Sequence, residues 1–166
     1  MARFVIGCFL VGIVGLASGQ NQEEMKEFDK YVVAASRKTR NAPVTVARIA
    51  PGETLNVYAE RLKSAAGMEP NFAGKYSMVL WSCGFVCVGG AIVNVETRDL
   101  YWLPFITAGE CANTPGPLLG FKPDSRLLIV RGQLGLRAQA SDEYAESGCG
   151  VYRFVWTGRE FKQILR

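Results

Sequence analysis

Apolar residues recur at spacings of three and four through Met25, Phe28, Val32 and Ala35, with charged residues between them, which predicts an amphipathic helix over residues 23–37. Its acids come early and its bases late, the order that a helix dipole favours. Asn41-Ala42-Pro43 breaks the pattern, residues 44–49 read as a short extended segment, and Pro51-Gly52 turns the chain. Thr54 then stands as the N-cap of a second helix. Its stripe is Leu55, Tyr58, Ala59, Leu62, Ala65 and Ala66, and Gly67 is placed to end it.

After Gly74 the period changes to two. Residues 75–82 alternate Tyr76, Met78 and Leu80 against Ser77, Val79 and Trp81, and residues 88–95 continue in the same grammar around Gly89-Gly90. Residues 96–99 make a hairpin turn into a strand over 100–105, which Pro104 is expected to end or hold at an edge, because it cannot donate to a ladder. Further strands are expected at 118–122, 126–131, 151–156 and 160–165, with turns at Pro123-Asp124-Ser125 and Thr157-Gly158-Arg159. Two stretches, 107–117 and 132–148, show no sustained period and read as long loops, the kind of segment on which binding residues concentrate. The fold class expected is α+β: two N-terminal helices followed by an antiparallel β-meander of about seven strands.

The first residues have a different job. Arg3, an apolar run from Phe4 to Leu16 and then Ala17-Ser18-Gly19 are the three parts of a signal peptide, with cleavage expected after Gly19. The run is shorter than the roughly 20 residues of a membrane span, and no basic flank follows it, so an uncleaved anchor is the weaker reading. Cutting at Cys8 as a lipoprotein would leave too short an apolar region. The expected organisation is therefore residues 1–19 as signal peptide, 20–70 as a helical segment packing on the sheet, and 71–166 as the antiparallel domain. Residues 20–166 form one globular unit in this reading, periplasmic or secreted, with no membrane insertion after cleavage.

Composition narrows the chemistry. The 166 residues are 49% hydrophobic and 20% charged, which excludes a disordered chain, and there is no His at all. That zero removes every nucleophile, zinc or haem site built on imidazole. Net charge is +4, falling to about +3 once Arg3 is lost with the signal peptide. The bases are scattered, with one cluster at Arg37-Lys38-Thr39-Arg40, so nucleic acid is not an expected partner.

Of five Cys, the signal peptide takes Cys8 and leaves Cys83, Cys87, Cys111 and Cys149, an even number in an exported domain. Four Cys allow three connectivities; Cys83 and Cys87 flank a sharp turn between two strand-like runs that could bring them close enough to bridge, and that pairing would leave Cys111 for Cys149. Closing that second loop of about 37 residues would contribute roughly 3–4 kcal/mol. A zinc site lacks the paired C-x2-C knuckles, and a redox couple lacks the C-x-x-C at a helix start, so neither metal nor cofactor is expected.

The motifs Asn71-Phe72-Ala73-Gly74-Lys75-Tyr76, Trp81-Ser82-Cys83-Gly84 with Cys87, Tyr101-Trp102-Leu103-Pro104-Phe105, and Asp124-Ser125-Arg126-Leu127-Leu128 resemble those of a group of small exported bacterial proteins of uncharacterised function. The resemblance spans roughly residues 71–165 and implies export and a β-rich fold. It implies no activity and no catalytic residue. Members of that group often have His where this chain has Lys75.

Candidate sites have plain alternatives. Asp124 and Ser125 could be acid and nucleophile, but Pro-Asp-Ser is more often a turn bonding its own backbone. Asp142, Glu143, Glu146, Asp99, Glu96 and Glu110 could supply a glycosidase pair, yet solvated loop acids are the better expectation. Trp81, Trp102 and Trp156 fit a core better than a carbohydrate platform. The expectation is thus a non-catalytic binding module for a protein or cell-envelope ligand, presenting Glu110, Asn113, Asp142, Glu143 and Tyr144 on the two long loops. An inhibitor of a cell-wall hydrolase and a carboxylate-dependent hydrolase stand as alternatives.

Overall fold

The computed structural model describes residues 17–36, 62, 68–84, 87–108, 111, 114, 116–137 and 144–164. One helix, α1 (Ala17–Asp29), is followed by eight strands: β1 (Tyr76–Gly84), β2 (Cys87–Asn94), β3 (Leu100–Trp102), β4 (Phe105–Ala108), β5 (Leu119–Phe121), β6 (Leu127–Arg137), β7 (Tyr144–Trp156) and β8 (Phe161–Ile164). All pairings are antiparallel, in the order β1-β2-β4-β6-β7-β8, with β3 beside β2 and β5 beside β6. The meander expected from the alternating pattern is present.

Alternation sends successive side chains to opposite faces, and here both faces are covered. Tyr76, Met78, Ile92, Leu128, Val130, Leu134, Phe154 and Trp156 share an inner face. Ring centroids of Tyr76 on β1, Tyr101 on β3 and Phe161 on β8 lie 5.3, 4.9 and 4.9 Å from that of Trp156 on β7. Strands at opposite ends of the sheet order thus reach the same indole, so the sheet curls around one aromatic interior. Each edge-to-face pair there is worth about 0.5–1.5 kcal/mol beyond the area it buries.

The outer face is covered in two places. Over β1, β2 and β3, Leu62 packs on Val79, Trp81, Ala91, Val93 and Leu100, and the Trp81 and Trp102 rings meet edge to face at 5.5 Å. Over β6, β7 and β8, Phe28 from α1 packs on Leu127 and Ile129, with Val151, Val155 and Ile164 beside them. All three tryptophans belong to these packed clusters, as the alternation anticipated.

Several expectations are corrected. Of the two N-terminal helices expected, α1 is the one among the described residues; the second lies outside them except for Leu62, which is helical and buried. α1 spans Ala17–Asp29 and not 23–37. Beyond Tyr31 the chain is extended, because its backbone pairs with the Asp124-Ser125-Arg126 turn: the Val33 amide donates to Asp124 O at 2.8 Å, the Arg126 amide donates to Tyr31 O at 2.9 Å, and Val32 bridges Ser125. Those tertiary bonds outweigh a local period in which only Phe28 is buried while Met25 and Val32 are exposed. The extended segment expected at 44–49 lies outside the described residues.

The strand expected over 100–105 ends at Trp102, just before Pro104, and a new strand starts at Phe105. Leu103 still donates to Gly90 O at 2.9 Å, and β4 resumes pairing with β2 in a register two residues removed from that of β3. Pro104 therefore marks an irregularity between two strands, which turns seven expected strands into eight. Thr107 and Ala108, expected in the first long loop, belong to β4. The second expected loop, 132–148, is largely strand: β6 runs on to Arg137 and β7 begins at Tyr144. Gly132, Gln133 and Gly135 read as breakers locally, but β6 is flanked there by β4 on one side and β7 on the other. Two ladders override composition at a central strand.

Candidate interaction surface

Cys83, Cys87, Cys111 and Cys149 form two disulfides, Cys83–Cys87 with Cα atoms 5.0 Å apart and Cys111–Cys149 with Cα atoms 5.8 Å apart. Register brings them onto one line. Gly84 pairs with Cys87, Cys87 with Ala108, Ala108 with Gln133 and Gln133 with Cys149, a single row crossing β1, β2, β4, β6 and β7. Cys87, Gln133 and Cys149 are in phase with the outward residues of their strands, so both bridges stand on the outer side. Cys83 and Cys149 are exposed.

The Cys111–Cys149 bridge fastens the segment after β4 to β7, and the chain beyond it is held as well. Thr114 donates to Cys111 O from both its amide and its hydroxyl at 3.0 Å. Pro117 O and Leu118 O receive the side-chain Nη1 and the backbone amide of Arg131, at 3.0 and 2.8 Å. Opposite, the β6–β7 hairpin carries an extra β7 residue between the Gln133 and Gly135 pairings, and the Tyr152 hydroxyl donates to Gly148 O.

Arg131 is almost wholly buried, and its other amino group meets Glu24 of α1. A Cβ at Gly120 would come within 2.8 Å of Glu24 Oε1, so the absence of a side chain there makes room for the pair. On the next strand Arg153 grips Glu27 with two bonds of 2.7 and 2.9 Å. That hydrogen bond, reinforced by charge attraction, holds the Glu27 carboxyl below its ordinary value of 4.5 against the opposing effect of burial. It raises Arg153 in turn.

These two pairs were not legible in the sequence. Glu24 and Glu27 share a helix face, and Arg131 and Arg153 face outward on adjacent strands, but nothing local links positions more than a hundred residues apart.

Of the expected surface residues, Glu110, Asn113, Asp142 and Glu143 lie outside the described residues, and Tyr144 opens β7 opposite Arg137. Glu146 pairs with Gly135 along β7. Glu96 accepts the Ser36 hydroxyl at 2.6 Å and lies 4.0 Å from Lys75 Nζ, while Asp99 accepts the Thr97 hydroxyl at 2.6 Å. Ser125 is fully buried and donates to Phe28 O at 2.9 Å, so it joins helix to turn, and its hydroxyl faces no solvent. Among the described residues no group of three or more His, Cys, Asp or Glu is placed to hold a metal, and no helix is long and apolar enough to cross a membrane. No protein-family profile, curated protein or solved structure is significantly similar to this chain.

Proposed function

We propose that this protein is an exported, non-catalytic binding module of the bacterial envelope or exterior, akin to the small exported group its motifs resemble. Its recognition surface is the end of the β6–β7 hairpin together with the segment around Cys111. One observation supports the reading: the Cys111–Cys149 bridge ties the segment around Cys111 to β7 at the Gln133–Cys149 pairing of the hairpin, across 38 residues of sequence. A surface held this way loses less freedom on binding, which favours recognition by preorganisation. Disulfides suit an oxidising compartment.

Two measurements test the proposal. Mass spectrometry of protein from the native compartment should find a chain beginning at Gln20 and lacking four hydrogens relative to its reduced form. Crosslinking to envelope extract should capture a saturable partner, and capture should fall at least tenfold when Glu110, Asp142 and Glu143 are changed to Lys but not when Lys162 on β8 is changed to Glu. Turnover of wall fragments or glycans by the purified protein, or equal capture by both variants, overturns it.

A further inference from the structure

The Cys83–Cys87 bridge stands where its own ladder would keep the two side chains apart. From Tyr76↔Asn94 to Ser82↔Val88 the β1–β2 pairing is regular, and one further step would place Cys83 opposite Cys87. The hydrogen bonds fix what kind of pair that step would make. The Val95 amide donates to Lys75 O at 2.9 Å, whereas the Tyr76 amide turns to Phe72 O and Gly90 O receives the Leu103 amide. Bonded pairs thus fall on the odd-numbered residues, and Cys83 with Cys87 continues that series. Side chains of a bonded pair stand farther apart than those of an unbonded pair, with Cα atoms about 5.5 Å apart against about 4.5 Å, while a bridge draws the Cβ atoms to roughly 3.5–4.5 Å. The strand gives way here. Register shifts by one between Ser82 and Gly84, so that Gly84 opposes Cys87, Cys83 is the extra residue of a bulge, and the two cysteine Cα atoms lie 5.0 Å apart. Cys111–Cys149 has no such conflict, because Cys149 opposes Gln133 and Cys111 belongs to no strand.

We propose that Cys83–Cys87 is a thiol-sensitive register switch: closed, it holds the bulge at the end of the β1–β2 hairpin, and open, it lets Cys83 move into register opposite Cys87. In the opening step a thiolate of a dithiol donor attacks Cys83 Sγ, on an exposed residue of the first strand in the sheet order. The Cys83–Cys87 bond breaks, and the Cys87 sulfur leaves as a thiolate and takes up a proton. The donor's second thiol then displaces Cys83 from the mixed disulfide. Two electrons and two protons have passed to the protein, and the donor has become a disulfide. The regular pairings from Tyr76 to Ser82 do not depend on the bridge, so the hairpin persists when it opens. Both cysteines lie on strands and not at a helix start, which makes the bridge an acceptor of electrons and not a catalyst of exchange.

The test equilibrates the wild-type protein against graded ratios of reduced to oxidised dithiothreitol, then alkylates free thiols and maps them by mass spectrometry. Cys83 and Cys87 should reach half labelling at a ratio at least tenfold below that needed for Cys111 and Cys149, with near-ultraviolet circular dichroism still native. At the same ratio, NMR contacts across the hairpin should pass from Gly84–Cys87 to Cys83–Cys87, and they should return on reoxidation. The chain carrying Cys83→Ser and Cys87→Ser together should show the in-register contacts at every ratio. Opening of both bridges at one ratio overturns the inference, as does loss of the native signal when Cys83–Cys87 alone opens. So does a Gly84–Cys87 contact that persists in the reduced protein. If the double variant fails to fold, the reduced wild type decides by itself.

Discussion

Ser125 shows how much one hydroxyl can hold. It is buried, donates to Phe28 O, and receives the Leu127 amide at 3.3 Å, so it closes the turn and anchors the helix end together. Ser125→Ala leaves both partners short of a bond, and chemical denaturation should record a loss of about 1–3 kcal/mol. Asp124→Asn, which keeps the backbone carbonyl that Val33 uses, should shift stability by no more than about 0.5 kcal/mol. Gly74 is the other sensitive position: its φ is +79°, and a Cβ would press into the Ala34 carbonyl oxygen. Gly74→Ala should therefore cost at least about 1 kcal/mol and free the residues near Ser36, seen as faster amide exchange at Ser36 than in wild type. The sequence offered a turn at 123–125 and an N-F-A-G-K-Y motif, and both are turns. Their shared purpose, holding residues 31–36 against the sheet, depends on contacts that no local pattern encodes.

At the level of elements, α1 is pinned by charge as much as by Phe28. Because Arg153 lowers the Glu27 carboxyl in the folded state, the pair stabilises fully above the ordinary value of 4.5, and its contribution is lost as pH falls through the depressed folded value. Melting temperatures of wild type and Glu27→Gln should thus differ at pH 7 and converge as the pH is taken below 4, with wild type the more stable at neutrality. Period-two alternation located most strands to within a residue or two, since one face meets the aromatic interior and the other an outer cover. It failed where neighbours decide, at residues 132–137, where ladders on both edges keep a glycine-containing run extended. It failed too at residues 30–36, where pairing with a distant turn replaced the end of a helix.

For the whole molecule the two disulfides are unequal. Cys111–Cys149 closes a loop of 38 residues and on chain entropy contributes about 4 kcal/mol, against about 2 kcal/mol for the short Cys83–Cys87 loop. Replacing Cys111 and Cys149 by Ser should therefore lower the melting temperature about twice as far as replacing Cys83 and Cys87, by scanning calorimetry. Equal shifts would show that the long bridge does not restrain the unfolded chain. The pairing was readable from cysteine spacing and the turn between β1 and β2. The alignment of both bridges on one row was not, because it needs the register of five strands.

Trp156 stands where the first and last strands of the curled sheet converge, so its share of the tryptophan emission responds to closure. Trp81 and Trp102, crossed edge to face on the outside, should instead announce themselves as a coupled pair in circular dichroism. One molecule thus carries two optical signals from two separate places, and if the curl opens before the outer cover lifts, the first will fade while the second persists.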